Sequence, residues 1–216
     1  MSAAELSALW KDAPQPIVLR STETSPFGRK VRMALLLLGL GDRVTLAPAD
    51  TMAEGDTLRQ QNPLGKMPCL LIGDEAFYDS HVILEMLDDM AGGGQLMPRA
   101  GLARYRALTR ARLADGITDA ALLVSYEGRF REPAQISERW LDHQRGKILR
   151  GLRDFETTLP DPTRADLVSL TLAASLGYLD WRQAVDWRPR FPELARWLAA
   201  FAAAQPVWSA TERKSA

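Results

Sequence analysis

The chain has 216 residues with 27 basic and 27 acidic side chains, so its formal net charge is zero. No global field recruits nucleic acid or an anionic membrane surface, and a small-molecule or protein partner is expected instead. Hydrophobic residues at 46% and charged residues at 25% exclude wholesale disorder, and the length suits two modest domains better than one small core.

The segment from Met1 to Lys11 carries Glu5 and no long apolar core, so it lacks the layout of a secretion signal. The longest apolar stretch, Met33 to Leu40, is far shorter than the ~20 residues a membrane helix needs. One cysteine, Cys69, excludes an intramolecular disulfide framework, and two scattered histidines, His81 and His143, argue against a multi-ligand metal site. A cytoplasmic protein is expected, with no metal, no nucleic acid and no membrane partner.

Taken in chain order, Ile17–Arg20 reads as a short strand, Pro26–Leu40 as a helix and Val44–Ala47 as a second strand. An irregular or helical segment follows. Cys69–Ile72 and Ala76–Tyr78 then form a hairpin about Gly73 and Asp74, and a helix runs on toward Ala91. Residues 15–92 therefore predict an α/β domain. The run Ala91-Gly92-Gly93-Gly94-Gln95, closed by Pro98, predicts a linker over 93–100.

From 101 to 216 nothing reads as a strand. Leu102–Glu127, Pro133–Thr158, Asp166–Trp181 and Phe191–Ala204 carry helical patterning, which predicts an all-α domain. The arginines from Arg99 to Arg112 alternate with Leu and Ala at helical spacing, as on a solvated helix face. Thr163-Arg164-Ala165-Asp166 fits a capping box with Thr163 at the cap. The helix it opens, Leu167 to Ala174, is apolar on nearly every side and is expected to be the central buried one. Trp181, Trp187 and Trp197 are expected to pack rather than to bind.

Three segments could carry chemistry. The first is the turn Ser21 to Lys30, which joins a strand end to a helix start, the edge where open α/β sheets bind ligands. Ser25 precedes Pro26, so it falls at the N-cap, where free N–H groups and the helix dipole favour an anion; simple capping is the competing explanation. The second is Asn62-Pro63-Leu64-Gly65-Lys66-Met67-Pro68-Cys69-Leu70. A cis Met67–Pro68 bond there would turn the Met67 N–H and C=O outward as a strand edge, but only about 5–6% of X–Pro bonds are cis, so spacing leaves the isomer open. The third is Asp79-Ser80-His81-Val82-Ile83, a carboxylate and a hydroxyl at another strand-to-helix junction, where capping again competes. Cys69, on an internal strand, reads as a buried small hydrophobe.

Together these segments resemble the glutathione S-transferase family from about Ile17 to Trp208. The resemblance is carried by Thr24-Ser25-Pro26-Phe27-Gly28-Arg29-Lys30-Val31-Arg32, by Asn62 to Pro68, by Asp79-Ser80 and by Thr163 to Asp166, in that order and split by the glycine-rich linker. It implies a thioredoxin-like N-terminal domain that holds glutathione as co-substrate, followed by an all-α domain that shapes the second-substrate pocket. By the same resemblance Ser25 faces the glutathione sulfur, with Ser21 and Thr24 close enough to share the task. Met67, set by Pro68, pairs with the cysteinyl unit; Asp79 meets the γ-glutamyl ammonium; Ser80 binds the adjacent carboxylate; Lys66 lies near the glycyl carboxylate. Phe27 borders the site, and Tyr105, Arg112, Asp115 and Tyr126 are candidates for the second-substrate pocket. A homodimer and an electrophilic small molecule as the other partner are also implied.

Three departures from the family pattern matter. No tyrosine precedes Tyr78 and no cysteine stands at Ser25. Ser25-Pro26-Phe27-Gly28 is similar to the glutaredoxin Cys-Pro-aromatic-Cys motif with both sulfurs missing, which removes disulfide exchange through a protein thiolate at this turn. The γ-glutamyl carboxylate is Asp79 in place of the usual glutamate. The expected activity is thiol activation followed by attack on an electrophile. Isomerisation or peroxide reduction by the same thiolate, and a non-catalytic glutathione-binding or protein-interaction module, are the alternatives.

Overall fold

The structure is a computed structural model that describes residues 3–13 and 16–213. The chain divides into two compact units, one running to Arg104 and resuming at Val207, the other spanning Tyr105–Pro206. The division falls a few residues beyond the glycine-rich stretch, and the segment from Val207 onward belongs with the first unit.

The first unit opens with α1 (Ala3–Lys11), a helix for which the sequence reading made no provision. It buries Leu6 and Trp10, one turn apart on one face, and packs against α4 (Ser80–Met90). Then come β1 (Ile17–Arg20), α2 (Pro26–Leu37), β2 (Val44–Ala47), the single-turn α3 (Leu58–Gln61), β3 (Cys69–Ile72) and β4 (Glu75–Phe77). The sheet order is β2-β1-β3-β4. β1 and β2 are parallel, joined by the α2 crossover that parallel pairing requires, while β3 is antiparallel to both β1 and β4. The central strands bury Ile17, Leu19, Cys69, Leu70 and Ile72, whereas edge strand β2 leaves Leu46 39% exposed.

Arg20 is the polar exception in that core, only 8% exposed. Its guanidinium donates to Thr57 Oγ1 at 2.8 Å, Gln61 Oε1 at 2.7 Å, the Pro48 carbonyl at 3.1 Å and Asp56 Oδ1 at 2.6 Å. Backbone N–H groups of Asp50 and Leu58, and then Arg20, hold the Asp56 carboxyl below its usual range. One buried cation thus ties the long β2–α3 connection to β1, and that connection leads straight into the loop Asn62–Met67.

Two predicted boundaries shift. α2 ends at Leu37, three residues before the expected Leu40, where the Leu38 N–H closes on Ala34 and Leu36 and Gly39 takes φ +67°. The hairpin's second strand is Glu75–Phe77, displaced by one residue from the expected Ala76–Tyr78.

The second unit contains most of α5 (Gly101–Phe130), then α6 (Glu138–Thr157), α7 (Leu167–Arg182) and α8 (Pro192–Ala204), before the short α9 (Pro206–Ala210). α7 is buried along nearly its whole length, as its all-round apolar sequence predicts. Its Ser175 Oγ donates to the Ala114 carbonyl of α5 at 2.8 Å and lies 2.6 Å from Thr118 Oγ1. Gly151 lets α6 approach α5 closely: a Cβ there would stand 2.7 Å from Ile117 Cγ1. Trp187 and Trp197 are buried, and Arg182 stacks over the Trp181 ring at 3.6 Å.

The capping box centred on Thr163 is corrected by the structure. Asp166 itself is the N-cap of α7, accepting from the Val168 and Ser169 N–H groups at 3.1 and 3.0 Å. The Thr163 backbone N–H and hydroxyl instead donate to Asp161 Oδ1. A carboxylate two residues back closes an Asx turn with Thr163, so the cap falls three residues later, at Asp166.

Candidate functional site

Sheet register determines what meets. Arg20 at the end of β1 pairs with Cys69 at the start of β3, and Leu70 pairs with Phe77 at the end of β4. The β1–α2 turn, the Met67–Pro68 step and the β4–α4 junction therefore collect at one end of the sheet. A hydrogen bond from Thr22 Oγ1 to Met67 Sδ at 3.5 Å joins the first two.

Ser25 caps α2 from an extended conformation, φ −77° and ψ 116°, with Pro26 at the first helical position. Its Oγ accepts from the Gly28 N–H at 3.1 Å. A hydroxyl has one proton and two lone pairs, so this cap spends an acceptor and leaves the Ser25 proton to be donated elsewhere. No acidic side chain occupies the first turn of α2, so that turn itself does not neutralise the positive helix terminus. Ser21 is fully buried, with Oγ directed against Gly28, where an added Cβ would lie 1.8 Å away. Thr24 Oγ1 is exposed and pairs with Thr22 Oγ1 at 3.0 Å. Of these hydroxyls, only that of Ser25 both caps α2 and keeps its proton available.

The Met67–Pro68 bond is cis, the isomer that spacing left open. Asn62, only 2% exposed, organises the loop before it: Nδ2 donates to the Lys66 carbonyl at 2.8 Å and Oδ1 accepts from the Leu64 N–H at 3.1 Å. Gly65 adopts φ +58°, which a β-carbon disfavours. Lys66 is exposed, Met67 half-buried and Pro68 buried. Asn62 had no role in the sequence reading although it opens the motif; the signal was an asparagine before Pro-Leu-Gly, a turn former with two partners to satisfy.

Asp79 caps α4 through Oδ1, which accepts from the His81 N–H at 2.9 Å. The residue is exposed, so capping and presenting a negative charge are compatible. Ser80 follows as the first helical residue, 3% exposed. One turn on, Glu85 pairs with His81 Nε2 at 3.3 Å and with Arg104.

Phe27 is half-buried with Lys30 Nζ 5.7 Å from its ring centroid. Tyr105, Arg112 and Asp115 lie along α5 in the second unit. Tyr105 is 67% exposed, while Asp115 is 2% exposed and pairs with Arg112 at 3.1 Å. Tyr126 packs edge-on against Phe130 at 5.2 Å.

Cys69 is fully buried, and burial pushes its thiol up to about 11. A thiol so far from ionisation is inert at neutral pH, so the folded protein is expected to react with a thiol reagent at least about a hundred-fold more slowly than the unfolded chain. Fast labelling under native conditions would contradict that placement. Among the described residues no group of three His, Cys, Asp or Glu side chains could hold a metal ion, and no helix is long and apolar enough to cross a membrane.

The family model described as Glutathione S-transferase, N-terminal domain, matches residues 24–90, the stretch from the Ser25 turn through α4. The uncharacterized GST-like protein YibF of Escherichia coli (strain K12) is 36% identical over 180 residues, covering 80% of this chain and 87% of that protein. The chain belongs to the glutathione S-transferase family. A glutathione transferase family member from Pseudomonas fluorescens Pf-5, solved with bound glutathione, is 40% identical, with a TM-score of 0.83 over 92% of this chain and 100% of that one. The same family member with bound S-(propanoic acid)-glutathione aligns at 39% identity, with a TM-score of 0.79 over the same shares. The thioredoxin-like sheet followed by a helical region is thus the glutathione transferase fold that the motifs implied. In this transferase-family chain the Ser25 turn, the Met67 loop and the Asp79 junction are the three chain segments gathered at one end of the sheet.

Proposed function

We propose that this protein is a glutathione transferase in which Ser25 and the N-terminus of α2 stabilise the thiolate of bound glutathione, which then attacks an electrophilic small molecule. The observation that carries this reading is the Ser25 hydroxyl, which accepts from Gly28 N–H at 3.1 Å and so has its proton left to donate, at a helix whose first turn carries no acidic side chain. The remaining contacts follow the chemistry of the tripeptide. Asp79 takes the γ-glutamyl ammonium, the free N–H of Ser80 and its hydroxyl take the neighbouring carboxylate, and the Met67 backbone pairs with the cysteinyl unit beside Pro68. Exposed Lys66 meets the glycyl carboxylate. The glutathione and S-(propanoic acid)-glutathione bound in two structures of one Pseudomonas fluorescens relative support both ligand and chemistry. In the conjugation step the thiol proton leaves to solvent, the sulfur lone pair forms the new bond to the electrophilic carbon, and any leaving group departs with its electron pair.

The magnitudes suffice. An ordinary thiol titrates near ~8.5, and a two-unit drop takes roughly 2.7 kcal/mol. A partly buried helix terminus contributes up to ~2 kcal/mol and a hydrogen bond to an ion ~1.5–3 kcal/mol. For the second substrate, the exposed ring of Tyr105 is the α5 candidate with open surface. Arg112 is engaged by Asp115, whose buried carboxylate would act through Arg112 and not by contact. Exposed Tyr78, Val82, Leu102 and Tyr105 support a homodimer as part of this reading, in the cytoplasm.

Titration calorimetry with glutathione tests the binding site. Asp79→Asn keeps the helix cap but removes the charge, and it is expected to weaken glutathione binding by about tenfold, the value of an exposed charge-assisted bond. Unchanged affinity in Asp79→Asn would place the ammonium elsewhere, and no binding by the parent at millimolar ligand would favour a non-catalytic module. Product analysis with several electrophiles and peroxides separates conjugation from isomerisation and peroxide reduction.

A further inference from the structure

The chain beyond Pro206 returns to the first unit and closes on α2. The Arg29 guanidinium lies 3.7 Å from the centroid of the Trp208 ring and donates to the Trp208 carbonyl at 3.0 Å and to Thr211 Oγ1 at 3.5 Å. Thr211 is 2% exposed, and its hydroxyl folds back on the Val207 carbonyl at 2.8 Å, so the segment that receives Arg29 is itself ordered by internal bonds. Burial lowers the Arg29 pKa to about 10, assisted by Arg32 and opposed by Glu212; the group stays charged at neutral pH and is held by ring and carbonyl together.

Arg29 is also the residue whose backbone N–H bonds the Ser25 carbonyl, at 2.9 Å. Its neighbour Gly28 rests against Ser21. Successive helical residues point about 100° apart, so the first turn of α2 is restrained on two different faces: Gly28 abuts β1's end sterically, and Arg29 is drawn to the C-terminal segment. Two such restraints determine the rotation of the turn about its axis, and with it the direction of the Ser25 hydroxyl.

We infer that residues Val207–Thr211 form a strap that positions Ser25 through Arg29, making Arg29 and Trp208 positioning residues for glutathione activation. The inference rests on the thiol-activating role proposed above for Ser25. The strap touches no reacting atom. Its contribution is orientation, and misplacement of a reacting group by about 1 Å can cost up to 10²-fold in rate.

The test compares Trp208→Ala, which removes the ring, with Trp208→Phe, which keeps an aromatic face, and Arg29→Lys, which keeps the charge but loses the planar fork. Three readouts apply: the kcat–pH profile with glutathione, the KM for glutathione, and deuterium exchange at the Gly28 and Arg29 amides. Trp208→Ala and Arg29→Lys are expected to lower kcat about 3–10-fold at pH 7 and to move the profile's lower midpoint up by about 0.5–1 unit, as for a weakened bond to the thiolate. KM is expected to stay within about twofold, exchange at the two amides to rise about tenfold, and Trp208→Phe to restore all of these. Faster exchange with a parental pH midpoint would mean the strap only stabilises the helix, and parental values of both would show that it does not restrain α2; either result overturns the inference. Should the parent itself show no midpoint below ~8.5, the thiol-activating role of Ser25 fails separately, and positioning for that role fails with it, while the exchange data still report whether the first turn is held.

Discussion

A Ser25→Ala variant is expected to lose about 10–30-fold in glutathione-dependent kcat/KM at pH 7, with the loss closing to about threefold or less above pH 9. The direction follows from the charge. A hydrogen bond donated to the thiolate lowers the thiol pKa, so the parent keeps its nucleophile at pH values where a free thiol near ~8.5 has largely lost it. Removing the donor moves the profile to higher pH and leaves the fully ionised limit nearly untouched. The ceiling on the effect is physical, since raising the thiolate fraction from about 3% to most of the population gains at most a few tens-fold. Alanine also removes the cap accepted from Gly28 N–H, costing about 1 kcal/mol of stability. Ser25→Gly separates the two effects, because glycine caps nearly as well as serine but has no hydroxyl. Equal losses at pH 7 and pH 9.5 would assign Ser25 to structure alone.

The second large effect is expected at Gly28. Helix propensity by itself favours alanine over glycine by about 1 kcal/mol, so Gly28→Ala would be stabilising on an open helix. Here the new methyl would stand 1.8 Å from Ser21 Oγ and 3.0 Å from Ser21 Cβ. The hydroxyl can rotate away, but Ser21 is 0% exposed and its Cβ is fixed by the backbone, so the first turn of α2 must lift. A loss of about 1–3 kcal/mol is expected, the range for overpacking, together with more than about tenfold in kcat as Ser25 moves with the turn. Chemical denaturation and turnover measure the two. Ser21→Gly in the same chain removes both close contacts and is expected to recover more than half of each loss. A double-mutant cycle without coupling beyond about 0.5 kcal/mol would show that the contact does not restrain the turn.

The same residues show why sequence reading stops where it does. Ser25 is legible because capping is local: the acceptor and the Gly28 N–H are three residues apart, and Pro26 marks the helix start. Asp79 is legible for the same reason. Gly28 carried no local sign of its task, since the atom that forbids a side chain there belongs to Ser21, on the other side of the turn. Arg20 looked like the last residue of a strand, and only the fold shows its charge held by Thr57, Gln61 and Asp56. α1 was missed because a short helix of ordinary composition is decided by what Leu6 and Trp10 pack on. The Thr163 cap failed because Asp161 and Asp166 offered better acceptors than the four-residue pattern assumed.

By itself, then, the sequence determined the class of each half, α/β before the glycines and helical after them, together with the identity of the capping hydroxyl and carboxylate. Periodicity of two or near four and i-to-i+3 capping bonds are local properties, readable without knowing where the chain returns. Tertiary structure alone decided that Ser25, Met67 and Asp79 share one end of the sheet, that Arg20 holds the loop between them, and that Arg29 is gripped by Trp208 from 179 residues away. Those contacts depend on strand register and chain closure, and each is set by the summed packing of the whole unit rather than by any neighbourhood of the chain.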